Sequence, residues 1–194
     1  RTIDIVGGTN VMWAPPIDAY QMVLFPLMEK MGIHVEVDIL ERGFYPNGGG
    51  HVIAPLEPIG NIKPLMLTDL GKLKKVRGRC FIQHLPDKIA TEIAEGCKRK
   101  LEPKYNFEFE VQRCEGNSRG AGVVLVAEYE NGMLSSNILT SRGHSAEQTG
   151  EDAAKDLISE MHAGSTVDIH TADQLLPYMA MADGHSEFVG HGHV

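Results

Sequence analysis

The chain opens on a strand pattern. Thr2-Ile3-Asp4-Ile5-Val6 runs into a turn cluster, Gly7-Gly8-Thr9-Asn10, and then into a segment opened by Pro15-Pro16. From Ile17 the apolar positions Ile17, Tyr20, Leu24, Leu27, Met28 and Met31 share one face of a 3.6-residue period, which predicts a helix ending at Gly32. Pro26 inside it predicts a bend, and the methionines on its face read as core filling. Ile33, Val35, Val37 and Ile39 then alternate with polar residues, the pattern of a half-buried strand over 33–40. His51 to Ile59 reads as a further strand, closing a β-α-β-β unit.

Between Thr68 and Ser141 the pattern changes to strand VRGRCFI, a helix from Pro86 with Ile89, Ile93, Cys97 and Leu101 on one face, and strands YNFEFEV, GVVLVAEY and MLSSNIL. Ser145-Ala-Glu-Gln148 is a capping box. It starts a helix with Ala146, Ala153, Leu157, Ile158 and Met161 on its apolar face, stopped near Gly164. Val167–Ile169 reads as a short strand, followed by a helix from Thr171 to about Asp183. The fold class is α+β: a core unit over 1–67, an inserted α+β domain over 68–141, and a returning core unit over 142–194 whose helices pack on the first.

Composition adds a charge asymmetry. The net charge is −8, and Gly143–Val194, with nine acidic residues and one lysine, carries all of it. A uniformly basic groove for nucleic acid is therefore excluded, and any polyanion must meet a local cluster or a divalent ion. The most basic stretch, GKLKKVRGR from Gly71 to Arg79, suits RNA contact or a lysine-protected strand edge equally. The three cysteines are odd in number and widely spaced, which argues for reduced, buried thiols rather than a disulfide framework or zinc knuckle. No apolar run approaches the ~18 residues of a membrane span, and the N-terminus lacks the pattern of a signal peptide, so a cytoplasmic location without a membrane is expected.

The segment RGFYPNGGGHV, Arg42 to Val52, concentrates the candidate chemistry. Three successive glycines, Gly48, Gly49 and Gly50, at a strand junction mark close backbone approach or positive φ angles. Their N–H groups could form a nest for an anionic oxygen with Arg42 as a bidentate partner, or simply turn a hairpin. Residue types alone leave both open.

The whole string, R-G-x-x-P-x-G-G-G-x-aliphatic, resembles the signature of the RNA 3'-terminal phosphate cyclases. GGTNVMWAPPIDA resembles that family's glycine-glycine-threonine and W-x-P-P segment, and VDIHTADQLLPYMAMADG its D-x-x-x-A-D-Q-L segment, in the same order. The resemblance implies repeated units of a sheet plus two helices, as in enolpyruvyl transferases, interrupted by an insert with thioredoxin-like topology. No C-x-x-C accompanies it, so no redox role follows. It implies a ligase-like enzyme of RNA processing that adenylates itself on a histidine, passes AMP to an RNA 3'-terminal phosphate, and releases AMP when the vicinal 2'-hydroxyl closes the cyclic phosphate. ATP, a divalent metal (Mg or Mn) and RNA are the implied cofactors and partners, with a homo-oligomer compatible. The alternative is a cyclase-like protein that acts without catalysis as a partner in ribosome assembly.

Carried onto this sequence, Asp173 and Gln174 fall on the family's nucleotide-pocket pair, within His170, Thr171 and Ala172, and Pro16 falls on a proline lining the adenine. Asp173 could hold a metal or a ribose hydroxyl. His170 and Asn137 stand where relatives often place aromatics. Arg42 and Gly48–Gly50 remain candidates for phosphate or RNA. The resemblance places the nucleophilic histidine at or just beyond Val194, with His193 the candidate inside the chain. His185, His191 and His193 also suit zinc by residue type but lack a fourth ligand. It further implies that the family's N-terminal repeat is missing and that this chain is inactive alone.

Overall fold

A four-stranded sheet lies between two helical layers, because one of its strands is apolar on both faces. The computed structural model describes residues 1–191. Strand β7 (Gly120–Tyr129) buries every residue from Ala121 to Ala127, as expected for a strand covered on both sides. It pairs antiparallel with β5 (Leu73–Gln83) and β8 (Met133–Leu139), while β6 (Phe107–Arg113) runs parallel to β5, giving the order β6-β5-β7-β8.

Cys80, Ile82, Val123 and Leu125 face helices α3 (Asp87–Leu101) and α4 (Ala146–His162). Phe81, Val124 and Val126 face the other way. They pack with Met22, Leu24 and Leu27 of an N-terminal helix and with Leu175 of α5 (Ile169–Met181). That N-terminal helix is α1 (Ile17–Ala19), a π-helical stretch Tyr20–Leu24, and α2 (Phe25–Lys30). Pro26 explains the interruption. Its ring excludes the carbonyl four residues back, and the helix widens immediately before it, with the Phe25 N–H bonded to the Tyr20 carbonyl.

The remaining strands form smaller sheets. β1 (Thr2–Gly7), β3 (Gly50–Pro55) and β2 (Asp38–Glu41) make an antiparallel sheet in the order β1-β3-β2. β4 (Met66–Leu67) pairs in parallel with β9 (Glu187–Phe188).

Several sequence expectations change. The strand expected over 33–40 begins only at Asp38. Ile33 instead closes the helix by donating its N–H to Met28, and His34 bonds to Glu29 and Glu36. Val167–Ile169 is not a strand, since Asp168 caps α5 there and the helix begins at Ile169 rather than Thr171. Helix α4 opens on the capping box read from Ser145 and Gln148, both bonds of which form. It packs on α3, β7 and β8 rather than on the first sheet. Glycines explain that choice: a Cβ at Gly96 would lie 2.2 Å from the Glu147 carbonyl oxygen, and one at Gly150 2.1 Å from that of Ile93. The two backbones approach too closely for any side chain there. Arg99 adds ion pairs to Glu147 and Glu151 across the same seam.

The basic stretch on β5 is not an edge. β5 has neighbours on both sides, and Lys75, Arg77 and Arg79 pair with Glu108, Glu128 and Glu110 of the flanking strands. Cross-strand neutralisation of this kind occupies three of the five cations of that cluster, while Lys72 and Lys74 are exposed. Cys80 and Cys97 are buried, Cys114 is partly so, and all three are free thiols.

Candidate functional site

The helix opened by Pro16 and helix α5 meet at one polar contact. Gln174, in the first turns of α5, donates its Nε2 to the Tyr20 hydroxyl at 3.4 Å, across 154 residues of chain. The segments carrying Pro16 and Asp173-Gln174 are thereby brought side by side. Tyr20 is half-buried; burial, and then the neighbouring Tyr178, hold its hydroxyl above the ordinary phenol pKa.

Asp168 sets the position of α5. One carboxylate oxygen accepts from the Thr171 N–H at 2.9 Å. The other accepts from the Thr171 hydroxyl at 2.9 Å, the Ser135 N–H at 3.1 Å and the Ser135 hydroxyl at 2.9 Å. A helix cap and a strand are joined through one buried carboxylate. The result fixes which residues of the segment reach solvent. Thr171 is buried and Ala172 packs on the core, whereas His170 and Asp173 are exposed and their side chains make no hydrogen bond or ion pair among the described residues.

Pro16 is buried as the N-cap of α1, in extended conformation, and its carbonyl accepts from Ala19 at 2.8 Å. Beside it a cleft of about 210 Å³ is lined by Gly8, Thr9, Pro15, Ile17, Tyr20 and Val52. Asp173 offers an exposed acceptor, and the half-buried Gln174 an amide oxygen beside the nitrogen bonded to Tyr20. Among the described residues no three His, Cys, Asp or Glu side chains converge as ligands. His185 lies against Glu187 and His191 against Glu160, while His193 lies outside the described residues. Asn137 borders a separate cavity of about 290 Å³ with Met12, Ala14 and His144.

Arg42 does not stand free as the bidentate partner of a glycine nest, because both terminal nitrogens of its guanidinium are already paired. Arg42 is 2% exposed and forms a bidentate pair with Asp18, which is 0% exposed. It also donates to Gln112 at 2.9 Å and lies over the Phe81 ring at 5.2 Å. Burial lowers the affinity of its guanidinium for the proton, and the Asp18 carboxylate more than restores it, leaving the pKa above the ordinary value. The Gly48 N–H is bonded to the Phe44 carbonyl at 2.8 Å. At Gly43 a Cβ would meet Gly50 N at 2.3 Å and Gly7 O at 2.6 Å, so this loop is where backbones cross. The signature acts here by holding β1, β3 and the GGTN turn together.

The sequence model of the RNA 3'-terminal phosphate cyclase family matches residues 1–192. The chain belongs to this family. The RNA 3'-terminal phosphate cyclase of Caldivirga maquilingensis is 37% identical over 96% of this chain and 55% of its own length. That of Methanococcoides burtonii is 38% identical over 95% of this chain and 54% of its own, and that of Nitrosospira multiformis 36% over 96% and 54%. The chain thus spans about half the length of these relatives. Its mixed helices and sheets agree with the α+β fold read for the cyclase family.

Sequence reasoning missed Asp168, Ser135 and Tyr20 as positioning residues. A signal was available for the first. Asp directly before a helical apolar pattern is an N-cap candidate, which the short-strand reading of Val167–Ile169 concealed. Nothing in the pattern marked Tyr20, whose partner is remote in sequence.

Proposed function

We propose that this protein, in its complete form, converts an RNA 3'-terminal phosphate to a 2',3'-cyclic phosphodiester at the expense of ATP, through histidine-AMP and RNA-adenylate intermediates. The observation that carries the reading is the Tyr20–Gln174 contact, which joins the two family segments expected at the nucleotide. In this reading Asp173 accepts from the ribose hydroxyls and Gln174 reads the nucleotide with its amide, while Asp168 holds both on a fixed helix end. Pro16 shapes the loop that faces them. The AMP moiety turns the RNA phosphate into a mixed anhydride with a good leaving group, and the adjacent 2'-hydroxyl attacks within the same molecule. His193 is the candidate nucleophile inside this chain.

The test is covalent labelling of the complete protein with ATP carrying label in the α-phosphate. Labelling is expected, with at least a tenfold loss in Asp173→Ala, and peptide mapping is expected to place the labelled histidine at or just beyond position 194. Undiminished labelling of Asp173→Ala would remove the assignment. A complete protein that binds no ATP would instead favour the non-catalytic ribosome-assembly role.

A further inference from the structure

A third cavity, of about 570 Å³, opens where four separate loops meet, a size typical of ligand sites. Asn10 and Trp13 come from the turn after β1, and Phe44 and Tyr45 from the signature loop. Arg119 stands at the start of β7, and Arg142 follows β8.

Three features point to an anionic, aromatic ligand. Trp13, the single tryptophan, is 88% exposed, and Tyr45 is 60% exposed, with the two rings edge to face at a centroid separation of 6.3 Å. Large aromatics are seldom left this open without a partner. Arg119 and Arg142 make no hydrogen bond or ion pair among the described residues, whereas Arg42, Arg77, Arg79, Arg99 and Arg113 each pair with a carboxylate. No acidic side chain lines the cavity, in a chain of net charge −8. Finally, Asn10 is fully buried at the cavity wall, and its Nδ2 amide has no hydrogen-bond partner. Its oxygen is occupied by the Thr9 hydroxyl at 2.6 Å. A buried donor left unpaired is costly unless a ligand takes it up.

We infer that this cavity is a subsite for one nucleotide of single-stranded RNA, distinct from the Asp173-Gln174 site. The base stacks on Trp13 against the edge of Tyr45, Asn10 donates to an acceptor on the base edge, and Arg119 and Arg142 take the flanking backbone phosphates. Stacking platforms beside paired cations are the means by which unpaired strands are held with little sequence preference. A duplex hides its base faces and does not fit. The choice of RNA rests on the cyclase reading above; the stacking geometry does not.

Trp13 reports on its own occupancy. The 194-residue chain is titrated with a single-stranded RNA oligonucleotide ending in a 3'-hydroxyl, which cannot undergo cyclisation, while tryptophan emission is followed. Quenching is expected. Arg119→Ala/Arg142→Ala is expected to bind labelled RNA at least tenfold more weakly, and to lower the slope of log affinity against log salt by about 1.4, from about 0.7 per phosphate neutralised. Trp13→Ala, read by anisotropy of labelled RNA, should lose about fivefold or more and Trp13→Phe much less. Unchanged emission overturns the inference, as does equal RNA binding by the double-arginine variant with native circular dichroism. Displacement of the RNA from Trp13 by stoichiometric AMP also overturns it, since the cavity would then be a mononucleotide site. Failure of the cyclase reading would appear in the AMP-labelling experiment and leave the quenching intact, so the two can fail separately.

Discussion

Arg42 and Asp18 share two hydrogen bonds inside the protein, joining the loop after β2 to the first turn of the helix opened by Pro16. Neither side chain reaches solvent to any useful extent. Removing one partner leaves the other charged and unpaired, which costs about 3–5 kcal/mol in comparable buried pairs. Arg42→Ala should therefore lower the thermal midpoint by on the order of 10 °C. Arg42→Lys keeps the charge but not the planar fork, and should recover only part of that loss. Calorimetry of the two variants checks both. A change of less than about 1 °C in Arg42→Ala would mean that the guanidinium is free for another role.

Asp168 and Asp173 lie five positions apart in sequence yet should behave oppositely. Asp168→Ala removes a helix cap and abandons Ser135, and should destabilise by about 2–4 kcal/mol in denaturant titration. Asp173→Ala, on the exposed side of α5, should stay within about 0.5 kcal/mol of the parent. Only Asp173→Ala should weaken nucleotide binding by the complete protein without a shift in the unfolding midpoint.

The thiols should separate by burial. Burial first, and then neighbouring thiols, push Cys80 and Cys97 up to about 12, so both remain protonated at pH 8 and out of reach of a thiol reagent. Cys114, partly exposed, is raised less by burial because Arg42 opposes the shift. One reactive thiol is expected in the native protein and three in guanidinium. The unfolded chain releases these protons near the ordinary value of 9.0 while the folded chain keeps them to about 12, so stability falls as pH rises across that range. A native count of three at pH 8 would contradict the burial of both strand and helix thiols.

The contact between α3 and α4 should be intolerant of a single methyl group. Gly150→Ala drives a Cβ against the Ile93 carbonyl and should cost more than the helix propensity gained, a net loss of about 1–3 kcal/mol. Gly60→Ala, where nothing lies within 4 Å and φ is not positive, serves as the control. It should be neutral or raise stability by up to about 1 kcal/mol. Urea midpoints of the pair decide the matter.

The strands and helices from Leu73 to His162 were legible because each rests on local periodicity or capping: the alternating FEFEV, the unbroken apolar run of β7, and the Ser145–Gln148 box. Local patterns were less secure where a residue served two neighbours. Residues 33–37 alternate like a strand but are used to close a helix, and Asp168 looks like part of a strand but ties α5 to Ser135. The family motifs were also readable, as strings, without revealing what their atoms do. Arg42 resembles a phosphate ligand until Asp18 and Phe81 are placed around it.

By itself, then, the sequence determined the element types from Leu73 to His162, their apolar faces, the acidic C-terminal quarter and the family. Tertiary structure alone decided which charges are free. Arg42, Arg77 and Arg79 are neutralised by carboxylates that the folded chain carries to them, while Arg119 and Arg142, in a cavity lined by no acidic side chain, come to stand beside Trp13 and Tyr45. Ion pairing acts over a few ångströms, and only folding sets which residues lie that close.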